Sequence, residues 1–423
     1  MDSRARSAKA LGRLARASGV SLLALAVSGG AMAQIARDES VLRKKDPYYN
    51  APGVQMGGFT MHPRLEVEAQ YDDNLLRTKR NRKDDIILIA RPSVALKTDE
   101  WHPVNFTVNA FGEIGRHIEY SSEDYESFGT SGRVTYDVAE DWKVDFGGSA
   151  ARSLQRRGLD VDSTSNRPSI VNEYEISSNV TYQGDPIAAR FSPVYRRYDF
   201  VDSGGQNNDD RDRQEYLLDF RFAFRVGANT SLFVDPSYTW VRYDDRVDDF
   251  GFNRDSQGYD VRAGIGYDAS DLLYFEVGAG YFHRKYRDRR LGSRSGMSAL
   301  ARFYWNPTET VSFEGEATRG IAESDAIAGG GSSKGAVATG AKLRGGWAPA
   351  DNVILDAGIG WHHFDYNRFK RVDRFYLFDV GGKYYFNEYL YAGLRYAHER
   401  RDSNVNALDY RNNRVMLTLG GQL

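Results

Sequence analysis

“RLEVEAQYDDN”, residues 64–74, alternates without a break as far as Tyr71 and then turns to two acids and an amide. Leu65, Val67, Ala69 and Tyr71 fall on one side, and Arg64, Glu66, Glu68 and Gln70 on the other. Successive side chains of a β-strand point to opposite faces, so a period of two reads as a strand with one oily and one ionised face. The pattern recurs along the chain. Phe220, Phe222, Phe224 and Val226 oppose Asp219, Arg221 and Arg225; Val353, Leu355, Ile359 and Trp361 oppose Asp356 and His362; Val415, Leu417 and Leu419 oppose Arg414, Met416, Thr418 and Gln422.

The connections between such segments fall into two classes. Eight are tight and rich in turn-forming residues, at 98–100, 139–141, 184–185, 227–229, 269–271, 306–308, 350–352 and 387–388. Between them lie nine longer, charged connections, which makes 18 strands. A soluble sandwich buries one face of each strand without needing short and long connections in strict alternation. An outer-membrane barrel has short periplasmic turns, longer outer loops, an apolar band toward lipid and a polar interior. The expected fold is therefore all-β, a transmembrane antiparallel up-and-down β-barrel of about 18 strands, closed because lipid offers no partner to an open edge.

Composition agrees with this reading. The 423 residues are 41% hydrophobic and 27% charged, and contain no apolar run that could cross a bilayer as a helix; a barrel needs oily residues only at every second position. Gly 42, Tyr 27 and Phe 22 against Pro 11 and Cys 0 suit a β protein with many turns, many aromatics and no disulfides.

Residues 1–33 read as an export signal, with a basic stretch from Arg4 to Arg16, an apolar run from Val20 to Val27 and cleavage after Ala33. Removing it takes away five basic residues and one acid, so the 56 basic and 58 acidic residues of the chain leave a formal charge of −6. That balance gives no basic footprint for nucleic acid. Residues 34–58 are polar, hold Pro47 and Pro52 and show no sustained period; they are expected to form a short periplasmic lead-in before a barrel spanning 59–423.

Tyrosine followed by a polar residue closes many outbound strands: Tyr71, Tyr120, Tyr198, Tyr243, Tyr286 and Tyr366. A ring with a polar tip favours the lipid–water interface, so all six are expected there. Trp101, Trp142, Trp305, Trp347, Phe386 and Tyr389 lie beside the tight turns and are expected to form the opposite belt.

The stretch from about Phe59 to Gly158, with “YDDNLLRT”, “DDIILIARPSVALKTDE” and “EYSSEDYESFG”, resembles the family known as “putative β-barrel porin type 2”. The resemblance implies an outer-membrane location and, because members often accompany capsule and exopolysaccharide systems, a role in exporting or assembling a surface polysaccharide with periplasmic export proteins. It supplies no catalytic residues. General diffusion of small polar solutes is the alternative, and an enzyme is not expected.

The positions expected to line the lumen carry both signs: Arg64, Glu66, Glu68, Arg91, Glu113, Asp145, Arg190, Asp219, Arg221, Arg225, Arg262, Glu276, Arg302, Arg344, Asp356, Asp379 and Arg395, together with Lys143, Glu173, Glu175, Asp235, Asp260, Glu314, Glu316, Lys342 and Lys383. Two roles are compatible: opposite charges on neighbouring strands stiffen the wall, and the same groups keep a path hydrated for polar solutes. Mixed sign argues against a single-sign ring selecting ions. Three loops look basic, with Arg77, Lys79, Arg80, Arg82 and Lys83, with Arg287, Arg289, Arg290 and Arg294, and with Arg368, Lys370, Arg371 and Arg374; they suit lipopolysaccharide phosphates, solvation or an anionic polymer.

No cofactor or metal is expected. “VDSGGQNNDDRD” (201–212) lacks the spaced ligands of a dedicated calcium loop, and His362 and His363, adjacent on a strand, point to opposite faces. “GGGSSKG” (329–335) has its Lys before the last Gly, the wrong order for a phosphate loop, and reads as an outer loop. No long loop folding into the lumen is evident.

Overall fold

A computed structural model describes residues 40–43, 49, 51–98, 104–155, 157–158, 169–202, 208–270, 272–323, 335–366 and 371–423. The expected signal with its cleavage at Ala33, the belt residue Trp101, residues 203–207 and 329–334, and Arg368 and Lys370 lie outside the described residues.

Strands follow one another with little else between them: β1 Val54–Met56, β2 Phe59–Asp72, β3 Asp85–Thr98, β4 Val104–His117, β5 Tyr125–Ala139, β6 Trp142–Gln155, β7 Ser169–Gln183, β8 Ile187–Val201, β9 Arg213–Arg225 and β10 Thr230–Tyr243. The second half continues with β11 Ser256–Ser270, β12 Leu273–Tyr286, β13 Ser293–Thr308, β14 Val311–Ala322, β15 Ala336–Ala350, β16 Val353–Tyr366, β17 Arg371–Tyr385, β18 Leu390–Ser403 and β19 Tyr410–Gln422. From β2 onward each strand pairs antiparallel with its successor, and β19 returns to β2 with Thr418 opposite Glu68 and Leu419 opposite Val67. This closes an 18-stranded barrel. The three-residue β1 adds a hairpin arm on the start of β2, with Gln55 opposite Thr60, so the lead-in is not free of regular structure.

The oily rows face outward. Leu65, Val67, Leu417 and Leu419 are 50–59% exposed and lie side by side across the closing seam. Apolar surface on that scale is not left bare in water. The aromatic belt on the loop side is built largely from residues other than those expected. Tyr195 packs against Tyr216 at 5.1 Å and Tyr238 against Trp240 at 4.3 Å, with the rings tilted, all on the outward parity of β8, β9 and β10. Of the six tyrosines expected there, Tyr71 is exposed, whereas Tyr198, Tyr243 and Tyr286 are buried and Tyr120 and Tyr366 pack on inner clusters. The reason is parity: Tyr198 shares the even positions of β8 with Arg190 and Ser192, so it must point where they point. On the turn side Trp142, Trp305, Trp347, Phe386 and Tyr389 are all exposed.

One tight turn falls later than expected. Asn306, Pro307 and Thr308 close β13 with a register shift between Trp305 and Thr308, and the reversal is made by Glu309 and Thr310.

Candidate functional site: the charged inner wall

Glu276 shows where the inner face lies. It stands on β12, fully buried, and accepts Arg221 Nη2 from β9 at 2.7 Å and Arg302 Nη1 from β13 at 3.1 Å, while the Tyr274 hydroxyl donates to it at 2.7 Å. β9 and β12 are three strands apart, roughly 14 Å of wall or more. Side chains diverge on a convex surface and converge on a concave one, so contact across that span places this face inside the barrel.

The network spreads from there. Arg221 also meets Asp235 at 3.4 Å, Arg190 holds Asp219 at 2.8 Å, and Arg262 stands 4.0 Å from Asp260, which accepts Ser298 Oγ at 2.6 Å. Arg302 approaches Glu316 at 3.7 Å, and Lys342 meets the same carboxylate at 3.6 Å. Arg221 stacks on the Phe233 ring at 4.1 Å, and glycine makes room for that ring: a Cβ at Gly264 would lie 2.4 Å from it. On the far side, Arg344 and Arg395 each bridge Asp356 and Asp379, closing a four-residue ring across β15 to β18, with Arg344 Nη2 at 2.9 Å from Asp379. Beside the seam Arg91 joins Glu68 at 3.1 Å and Glu113 at 2.7 Å, and across it Arg64 reaches Gln422 at 3.2 Å. Glu66 accepts the Tyr391 hydroxyl, and Arg196 holds Glu175 at 2.8 Å near Glu173.

Burial is uneven around this wall. Glu276, Asp219 and Asp235 are at most 2% exposed, packed as in a protein core. The sector from β4 to β7 is wetter: Ser149 is exposed, while Asn109, Ser131, Thr135, Asp145 and Asn179 are half-buried, with Thr135 Oγ1 on Asp145 at 2.5 Å. Arg225 stands apart from these networks, exposed at the turn-side rim and 3.2 Å from Asp185. Lys143, half-buried, pairs with Asp137 at 3.5 Å, and Lys383 lies over the Tyr391 ring at 5.0 Å.

Several inner residues that the sequence pattern did not single out lie at the outer strand ends. Asp373, fully buried, takes Arg371 at 2.6 Å and Arg401 at 2.8 Å, and Tyr410 donates to Glu399 beside them. Arg371 and Arg294 were expected in basic outer loops; both are instead buried in strands, Arg294 beside Asp365 at 3.5 Å. Arg77 is likewise buried, 3.0 Å from Asp72. Each sits at or beside an outer strand end; inward acids, Asp373 and Asp72, capture Arg371 and Arg77, whereas Arg294 donates to the Asp365 carbonyl at 2.8 Å. Lys79, Arg80, Arg82, Lys83, Arg287, Arg289, Arg290 and Arg374 are exposed.

The mouth on the loop side is partly roofed by a short turn rather than a long loop. The short helical turn Asp209–Arg211 is buried except for Asp209; Arg211 lies over the Phe200 ring at 4.0 Å and donates to Gln155 of β6 at 2.7 Å. Arg254 covers the Tyr243 ring at 4.3 Å and ties this turn to Asp248. Burial, with the nearby Asp199 and Asp244, pushes the Asp212 carboxyl up to about 6, although the Phe200 amide donates to it. The half-buried Asp288 carboxyl is held well below the usual range by hydrogen bonds from Arg290. Among the described residues no cluster of His, Asp or Glu could hold a metal, and His362 and His363 stand on opposite faces, as their adjacency requires.

The family model described as “Putative beta-barrel porin 2” matches residues 46–423. The chain belongs to that family. As a member it is a porin-like β-barrel of the outer membrane, and the match begins within the lead-in and runs to the end of β19. Solved structures also align with the chain at low identity. OpdL of Pseudomonas aeruginosa aligns at 10% identity and a TM-score of 0.43, covering 87% of this chain and 100% of its own. OpdK of the same organism, solved with vanillate, aligns at 11% and 0.45 over 86% and 99%, and OccAB4 of Acinetobacter baumannii at 11% and 0.45 over 87% and 99%. No curated protein matches the chain.

Proposed function

We propose that this barrel is a passive channel for small polar solutes. The observation that carries the reading is the inner wall itself, which presents both signs already paired, beside a hydrated sector of hydroxyl and amide groups on β4 to β7. Paired charges keep water in the lumen without giving it a net field, so the path favours polar solutes over one sign of ion.

Export of a polysaccharide rests on the family resemblance alone, as does contact with periplasmic export proteins. The exposed Lys79, Arg80, Arg82 and Lys83 support contact with lipopolysaccharide phosphates. Reconstituted barrel is expected to pass neutral sugars and amino acids in liposome-swelling assays, with a reversal potential near zero in a salt gradient. A barrel that passes none of these, in cells whose polysaccharide release falls when the gene is deleted, would overturn the proposal in favour of export.

A further inference from the structure

Residues Ser40–Arg43 lie inside the barrel at the turn side. Ser40 and Val41 are 1% and 5% exposed, and Ser312, Glu314, Gly346 and Tyr304, which surround this stretch, all stand on the inward parity of their strands. The Val41 amide donates to Ser312 Oγ at 2.8 Å, Ser40 Oγ donates to Glu314 Oε1 at 3.1 Å, and the Arg43 guanidinium grips Glu314 with two nitrogens, Nε at 2.8 Å. Leu42 fills the space that a side chain at Gly346 of β15 would take, since a Cβ there would stand 2.7 Å from Leu42 Cδ2. Arg43 also lies 5.9 Å from the Tyr304 ring of β13. A second anchor sits elsewhere on the circumference: the Tyr49 carbonyl accepts Gln422 Nε2 of β19 at 3.0 Å, and its ring stands 6.0 Å from Tyr385 of β17. Two anchors six residues apart, on β14 and on β17 and β19, are joined by at most about 20 Å of chain.

We infer that this segment is a built-in constriction, docked in a site on the inner wall made by Ser312, Glu314 and Gly346, and that its release widens the turn-side mouth. The inference rests on the channel reading above and goes beyond it. The site is made for this occupant: a two-pronged charge-assisted grip at Glu314, a hydroxyl for a backbone amide and a glycine vacancy for a leucine. Neither the grip nor the vacancy is needed to close the barrel, since β14 and β15 pair strand to strand from Val311 opposite Trp347 to Ala322 opposite Ala336.

The test uses the full chain, which has no cysteine of its own. Ser40→Cys in the folded barrel is expected to react slowly with a water-soluble maleimide, and adding Glu314→Gln or Gly346→Val is expected to speed labelling about tenfold, the equivalent of one charge-assisted hydrogen bond. The same two changes, and Arg43→Ala, are expected to raise single-channel conductance at least about twofold over the parent. Heat-modifiable migration on gels confirms that each variant remains a barrel. Fast labelling in the parent, or labelling and conductance that neither change moves, overturns the inference. If no variant conducts at all, the channel reading fails while the labelling ratio still decides whether the segment is docked.

Discussion

Replacing Glu276 with Gln removes the charge on which the packed half of the inner wall converges. In the native wall Glu276 accepts Arg302 at 3.1 Å and Arg221 at 2.7 Å and is fully buried. A glutamine keeps one acceptor oxygen and turns a donor amide toward the other guanidinium, so one charge-assisted bond is lost and two buried cations lose their shared anion. Breaking a buried pair from one side costs about 3–5 kcal/mol. Arg221 keeps Asp235 at 3.4 Å and Arg302 keeps Glu316 at 3.7 Å, so the lower end, about 3 kcal/mol, is expected. Urea titration of the barrel in lipid vesicles, followed by tryptophan fluorescence, measures it. Glu316→Gln is the control: its side chain is 26% exposed, it approaches Arg302 and Lys342 only at 3.7 Å and 3.6 Å, and the expected cost is below about 1 kcal/mol. A Glu276→Gln cost below about 0.5 kcal/mol, or one equal to that of the control, would refute the claim that these inner charges form a packed, mutually dependent wall.

Asp72→Ala should unravel the first outer connection while leaving the barrel closed, because Asp72 holds Arg77 at 3.0 Å, the Asn74 amide at 3.0 Å and the Asn412 side chain at 2.5 Å. Limited proteolysis within 73–84 should accelerate about a hundredfold, the equivalent of roughly 2–3 kcal/mol, without loss of heat-modifiable migration. Asp212 gives a pH signature. Its folded value, about 6, lies above the ordinary carboxylate range, so the folded mouth binds a proton that the opened one releases, and stability there is greatest in acid and falls as pH rises from about 4 to about 6. Hydrogen exchange of the Asp209–Arg211 turn, corrected for its intrinsic pH dependence, should therefore quicken over that window, and Asp212→Asn should abolish the trend.

Much of the fold was legible because it rests on a period of two, which any strand with one wet and one oily face must show. The strand number followed from counting tight and long connections, and each strand showed its two faces by alternate positions, as Glu66 and Glu68 against Leu65 and Val67 illustrate. Counting failed where a second rule was allowed to override it. Tyr198, Tyr243 and Tyr286 look like interfacial tyrosines by their polar neighbours, yet each carries the parity of an inward residue and lies buried. The same count extended to the strand ends would have removed Arg294 and Arg371 from the basic loops. Contacts between distant positions left no such mark. Nothing in the local pattern of Ser40–Arg43 announces Glu314, which is 271 residues away from Arg43 in the chain. The inward fold of Asp209–Arg211 was equally silent, because short polar loops have no period to read.

The direct test of the architecture is which solvent the tryptophans meet. Trp142, Trp240, Trp305, Trp347 and Trp361 all stand on outward positions, Trp142, Trp305 and Trp347 near the turns and Trp240 and Trp361 nearer the loops. With the barrel in vesicles of brominated lipid, each of the five, isolated in a variant whose other tryptophans are phenylalanine, should be quenched by bromines near the headgroups and shielded from aqueous iodide. Quenching by iodide with no effect of brominated lipid would contradict the account, because it would mean that these faces meet water rather than hydrocarbon.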